Sequence, residues 1–206
     1  MLSVPARTPW LVKKLFPSYI WNKGKEEKCI YLSFDDGPTP EITEWVLNTL
    51  REYNAQATFF CIGKNVELYP EIYKKILDEG HKTGNHTQNH LKGWKTSTSD
   101  YLENIAEASS YISSNLFRPP YGRITSSQAK ALQKQGYSII MWDVLAKDWD
   151  RSISQEKCAE NVLKNAREGS IIVFHDSIKA EKNMKYALRA TLDHFSKKGY
   201  CFKALG

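Results

Sequence analysis

The chain has 206 residues, 41% of them hydrophobic and 25% charged, and its 29 lysines and arginines outnumber 23 acidic residues for a formal charge of +6. That length supports one well-buried core, and the composition excludes a disordered chain and a helical membrane protein, since no apolar run approaches the roughly 18 residues a spanning helix needs. The basic excess is scattered in pairs such as Lys13-Lys14 and Lys74-Lys75 with no recognition module, so nucleic acid is not expected as a partner.

No proline-, glycine- or serine-rich linker divides the chain, which predicts a single catalytic domain over residues 1–206. Met1 to Thr8 lacks the charged-then-apolar pattern of a secretory signal, which favours a cytoplasmic location. Trp10 to Trp21 mixes Leu11, Val12, Leu15 and Phe16 with Lys13-Lys14. It reads as a helix on the rim of the fold, with peripheral membrane anchoring as the alternative. Strand and helix patterns then alternate. Cys29 to Phe34 reads as a strand, Glu41 to Tyr53 as a helix, Ala57 to Ile62 as a strand, Glu71 to Glu79 as a helix and His81 to Asn85 as a strand. Asp100 opens the next helix, with Glu103 completing a capping pair, and Leu116 to Arg118 is a short strand entering Pro119-Pro120. The helices Ser126 to Gln135, Gln155 to Glu168 and Glu181 to Lys198 alternate with strands Tyr137 to Val144, Ser170 to His175 and Tyr200 to Ala204. Repeated alternation of this kind makes a parallel sheet, and about seven such units predict a closed or nearly closed barrel. A doubly wound open sheet is the alternative, but no glycine-rich phosphate loop follows the first strand. The four cysteines show no short ligand spacing and read as buried reduced thiols, although Cys29 and Cys201 could meet if the first and last strands are neighbours.

The chemistry gathers at the predicted strand ends. Asp35 and Asp36 close the first strand in Ser33-Phe34-Asp35-Asp36-Gly37-Pro38, and His86 and His90 are four apart, one helical turn if that segment is helical. Alone, the first motif is a common turn and the second an ordinary histidine pair. Together, Asp36, His86 and His90 supply the oxygen and nitrogen donors that suit zinc, with a fourth position left for water. A metal there lowers the pKa of bound water and polarises a carbonyl, leaving Asp35 as the base. Arg118 can hold Asp35 ionised, and Pro119-Pro120 stiffen the loop so that the Tyr121 backbone N–H can face a developing oxyanion. His175 is the candidate acid for a departing nitrogen, Asp148 the carboxylate that keeps it protonated, and Trp149 and Tyr121 the walls for a sugar ring.

With these residues in order, the chain resembles the polysaccharide deacetylases of the NodB-homology type, carbohydrate esterase family 4, whose five motifs run from Ser33 to Ser177. The resemblance implies a distorted (β/α)7 barrel that removes acetyl groups from an N-acetylated carbohydrate with a divalent metal, most often zinc, with cobalt or nickel also used. It implies Asp35 as base, Asp36, His86 and His90 as metal ligands, Arg118 as the residue steadying the base, Tyr121 as N–H donor and His175 as acid. Pro120 belongs to the third motif, and Val173 stands where a leucine commonly lines the acetyl-methyl pocket. The fourth motif is spaced differently from the family pattern, so either Asp143 or Asp148 is the partner of His175. The expected partner is an N-acetylglucosamine-containing glycan. The alternatives are an amidohydrolase acting on a small non-sugar amide and a glycan-binding module without turnover.

Overall fold

The computed structural model describes residues 4–24 and 28–206; Met1 to Ser3 of the N-terminal segment read above lie outside the described residues. At its centre is β1 (Cys29–Asp35), buried at every position except the half-buried Tyr31. Burial on both faces is what a parallel strand between two layers requires. Ile30, Leu32 and Phe34 join the core beneath the helices, while Tyr31, Ser33 and Asp35 alternate onto the inner face. The other strands are β2 (Ala57–Cys61), β3 (Lys82–Asn85), β4 (Leu116–Phe117), β5 (Ser138–Ile139), β6 (Val144–Leu145), β7 (Ile171–His175) and β8 (Cys201–Phe202). They run in the order β5-β4-β3-β2-β1-β7-β6, all pairs parallel, and β8 pairs with the start of β1. This is the distorted (β/α)7 barrel expected. Its inner space is filled by Phe60, Ile140, Ile171 and Leu205 rather than left as a pore.

The outer helices are α2 (Ile42–Glu52), α3 (Gly63–Leu68), α4 (Pro70–Asp78), α5 (Thr98–Ser109), α6 (Ser126–Lys134), α7 (Gln155–Leu163) and α8 (Glu181–Lys197). Several readings need correction. The cap of α5 is Ser97, whose hydroxyl accepts from the Asp100 N–H, so Asp100 lies in the first turn and is not the cap. α7 ends five residues before Glu168, and α3 was not foreseen. The stretch Tyr137 to Val144 is two strands because the barrel opens between them. There the N-terminal segment inserts: Ile20 N–H bonds to the Ile139 carbonyl at 2.9 Å, Met141 N–H returns to Ile20 at 2.7 Å, and Leu145 N–H reaches Ala6 at 2.8 Å. Between these contacts lies α1 (Trp10–Leu15), on the rim as expected, with none of its residues buried.

The cysteine reading divides. Cys61 and Cys158 are buried and free, but Cys29 and Cys201 form a disulfide, because β1 and β8 are paired and bring their Cα atoms to 4.6 Å. No helix among the described residues is long and apolar enough to cross a membrane.

Candidate metal centre and active site

The residues read as metal ligands, base and acid lie on the face where the strands end, whereas Asp143, the other candidate for holding His175, stands just before β6 at the end where the strands begin. β1 and β7 are in register, so Asp35 and His175 are direct neighbours across the ladder. One residue on, the chain leaves β1 in a left-handed conformation at Asp36, φ 81°. That turn swings the second carboxylate away from Asp35 and toward β3. Gly37 follows, where the backbone closes on Asp176: an added Cβ would stand 2.0 Å from Asp176 Oδ2. Asp176 accepts from the Gly37 N–H at 3.1 Å and from the Thr43 hydroxyl at 2.5 Å, which fixes the turn. Sequence reasoning missed Asp176, although it stands next to His175 in the same motif; its burial pushes its carboxyl pKa up to about 8.

His86 and His90 do meet, but not on a helical turn. The segment is an irregular loop with Thr87 and His90 left-handed, φ 66° and 56°. Side chains satisfy its backbone in place of helical bonds: Asn85 Oδ1 accepts from Thr87, and Asn104 Oδ1 accepts from Gln88 and Asn89. The result is equivalent for the imidazoles. Nε2 of His90 is 3.2 Å and Nε2 of His86 3.8 Å from Asp36 Oδ1, and one donor atom from each residue lies within 4.8 Å of the others.

These residues fit a metal ion. Asp36 Oδ1 is buried and accepts no hydrogen bond, a costly state for a carboxylate oxygen without a cation. His86 Nδ1 donates to the Arg118 carbonyl at 2.7 Å, which commits the ring to presenting the Nε2 lone pair to the centre. Burial outweighs the nearby Asp35 and Asp36 charges and lowers the His86 pKa to about 4, so the ring is neutral at pH 7. For Asp36, burial opposes ionisation, yet His90, with Nε2 at 3.2 Å, and the fields of His175 and His86 leave its carboxyl well below the usual range.

Arg118 is fully buried and spends its donors on the inner wall. Nη1 donates to Asp35 Oδ1 at 2.7 Å and to the Ser33 hydroxyl at 2.8 Å, Nε to the Ile140 carbonyl, and Nη2 to the Met141 carbonyl. Its guanidinium lies 4.0 Å from the Phe60 ring centroid. Ser33, overlooked in the sequence, donates its own hydroxyl hydrogen bond to the Ile172 carbonyl.

Across the mouth, Asp148 is buried and grips His175 twice, accepting from its backbone N–H at 2.6 Å and from Nδ1 at 2.8 Å. Burial alone would lower the histidine's pKa, but the Asp148 charge and hydrogen bond, helped by Asp36 and Asp35, raise it to about 9. Asp143 faces elsewhere, accepting from Ser170 and pairing with Lys13 of α1. Trp149 meets the His175 ring edge-on, centroids 4.8 Å apart. Tyr121 is left-handed at φ 59°, its exposed ring 4.6 Å from that of His90, and Pro120 beside it is buried. Val173 is buried on the same face of β7 as His175. Asp36, Thr87, His90 and Tyr121 thus concentrate backbone strain of about 1–3 kcal/mol each around one centre.

The polysaccharide deacetylase family model matches residues 22–140. This chain belongs to that family. Among its relatives, a peptidoglycan-N-acetylglucosamine deacetylase of Bacillus cereus is 36% identical over 201 residues, covering 93% of this chain and 94% of its own. A chitooligosaccharide deacetylase of Azorhizobium caulinodans is 32% identical over 172 residues, covering 80% and 81%. The crystal structure of the Bc1960 peptidoglycan N-acetylglucosamine deacetylase superposes with a TM-score of 0.87 at 31% identity, covering 96% of this chain and 95% of that one. Family membership accounts for the shared barrel and for metal-dependent hydrolysis as the family's chemistry.

Proposed function

We propose that residues 1–206 work as one catalytic domain that hydrolyses the acetamide of an N-acetylglucosamine residue in a poly- or oligosaccharide, giving acetate and a free sugar amine. The observation that carries this reading is the convergence of Asp36, His86 and His90 on one point at the strand mouth where Asp35 and His175 are neighbours in register. The relatives named above, which act on peptidoglycan and chitooligosaccharide, supply the substrate class.

Asp36, His86 and His90 would hold the ion, which we take to be zinc, with cobalt or nickel able to replace it; when bound it acidifies water and polarises the acetyl carbonyl. Asp35, paired with Arg118 at 2.7 Å, accepts the proton from the attacking water. As the carbonyl carbon becomes tetrahedral, the Tyr121 backbone N–H donates to the oxygen on which charge builds. His175, protonated at neutral pH and fixed through Nδ1 by Asp148, delivers its Nε2 proton to the sugar nitrogen as the carbon–nitrogen bond breaks. Trp149 and the Tyr121 ring, braced by Pro120, flank the sugar, and Val173 lines the space for the acetyl methyl.

The test is acetate release from N-acetylglucosamine oligomers. A chelator should abolish it and added zinc should restore it; an unchanged rate in a chelator, with metal analysis showing an empty protein, counts against the proposal.

A further inference from the structure

α1 lies on the rim with one side toward the fold and the other toward solvent. Inward, Lys13 pairs with buried Asp143, and Val12 and Phe16 line a groove against the barrel. Outward, Trp10, Leu11 and Leu15 are 71%, 53% and 65% exposed, and Lys14 Nζ lies 5.8 Å from the Trp10 ring centroid. The uncovered apolar surface continues across the groove, about 300 Å³ in volume, to the exposed rings of Trp94 and Tyr121. The Tyr121 ring is 4.6 Å from that of His90, so this face borders the metal centre. Single exposed apolar side chains are ordinary on a protein surface, whereas a continuous group of them marks a contact.

The charge on this face has one sign. No aspartate or glutamate occurs in residues 4–24, 86–99 or 108–142, the stretches that build it. Asp143, which reaches α1 from outside them, is buried and taken up by Lys13 and Arg7. Among the described residues Lys14, Lys92, Lys95 and Arg123 pair with no carboxylate, and Lys92 and Arg123 rest on the Tyr121 and Trp94 rings at 4.6 and 4.4 Å. Elsewhere the surface mixes its signs, as where Arg189 pairs with Glu52 and Lys75 with Glu44.

Tryptophan, phenylalanine and leucine interleaved with unpaired cations are the composition that settles at a lipid interface, the rings among the headgroups and the cations on lipid phosphates. A second copy of the chain fits less well, because a two-fold contact would set this basic face against itself. A soluble polyanion would engage the cations and leave Trp10, Leu11 and Leu15 in water. We infer that this face docks the protein on an anionic lipid bilayer. Trp10, Leu11 and Leu15 enter the interface, Lys14, Lys95 and Arg123 meet the lipid phosphates, and the barrel mouth is held beside the membrane surface.

The experiment is co-sedimentation of the full chain with vesicles of phosphatidylcholine alone and of phosphatidylcholine mixed equally with phosphatidylglycerol. The protein should pellet with the anionic vesicles, stay in solution with the neutral ones, and be released as sodium chloride rises. Lys14→Glu should weaken binding by about fivefold or more, the factor that one cation contributes at an anionic leaflet. Trp10→Ser/Leu15→Ser should weaken it by roughly tenfold or more. Both variants should keep the wild-type urea midpoint, because the replaced side chains are exposed. Equal pelleting with the two kinds of vesicle, or anionic binding that Trp10→Ser/Leu15→Ser retains in full, overturns the inference, the latter by showing charge attraction alone. So does a wild-type dimer in sedimentation velocity that the same double variant splits, since the face is then covered by a second copy.

Discussion

At the scale of single residues, Asp35 and Asp36 are adjacent in the chain and opposite in their surroundings. Asp35 is paired at 2.7 Å with a guanidinium, and Asp36 is turned by its positive φ toward two imidazoles. Asp35→Asn keeps the shape of the pair and removes only the carboxylate that we propose as proton acceptor, so the variant should bind metal normally and lose kcat by about 10²- to 10⁴-fold. His86→Ala should lose both. Metal content measured beside acetate release separates the two, and equal metal loss in both variants would refute the division of roles. The acid is tested through pH. With its pKa at about 9, His175 stays protonated through neutrality, and kcat of the metal-loaded enzyme should fall only as pH rises through about 9. In Asp148→Asn the charge that opposes burial is gone, so the falling limb should move to the ordinary imidazole value of roughly 6.5 or lower, a loss of about 30-fold at pH 8. An alkaline limb that stays in place would remove Asp148 from this role.

At the scale of elements, the strand ends were legible and the loops were not. Runs such as Ile30-Tyr31-Leu32 and Ile171-Ile172-Val173 carry the β pattern whatever surrounds them, and both form strands, ending at Asp35 and His175. The pair His86 and His90 has helical spacing, yet the loop between them is held by Asn85 and Asn104, the latter on α5, a contact that no local pattern contains. Arg118 shows why such cross-element bonds matter: one side chain links β1, the end of β4 and the chain leaving β5. Arg118→Ala would leave Asp35 buried without its cation and the Ile140 and Met141 carbonyls without donors. A stability loss of about 3–5 kcal/mol is expected, read as a lower urea midpoint. Arg118→Lys should recover little of it, because an ammonium cannot reach those acceptors in one planar fork. A midpoint unchanged in Arg118→Ala would show that the inner wall relaxes without it.

At the scale of the whole molecule, the barrel is closed by parts distant in sequence. The N-terminal segment fills the opening between β5 and β6, and Lys13 there takes up Asp143, which is why that aspartate is not the partner of His175. The Cys29–Cys201 disulfide ties the first and last strands across 172 residues, and such bridges persist in oxidising compartments. Cys201→Ser should cost about 2–4 kcal/mol in urea unfolding, with wild type in reductant matching the variant. Equal stability of oxidised wild type and Cys201→Ser would mean that the bridge constrains nothing. The order of residues alone determined the alternating elements, the parallel sheet and the identity of the chemical groups at its mouth, because periodicity and residue type are local properties. Which aspartate holds His175, how the two histidines converge, what Asp176 fastens and whether the cysteines join were decided only in three dimensions. Each depends on a contact between segments whose separation in space the linear chain does not encode.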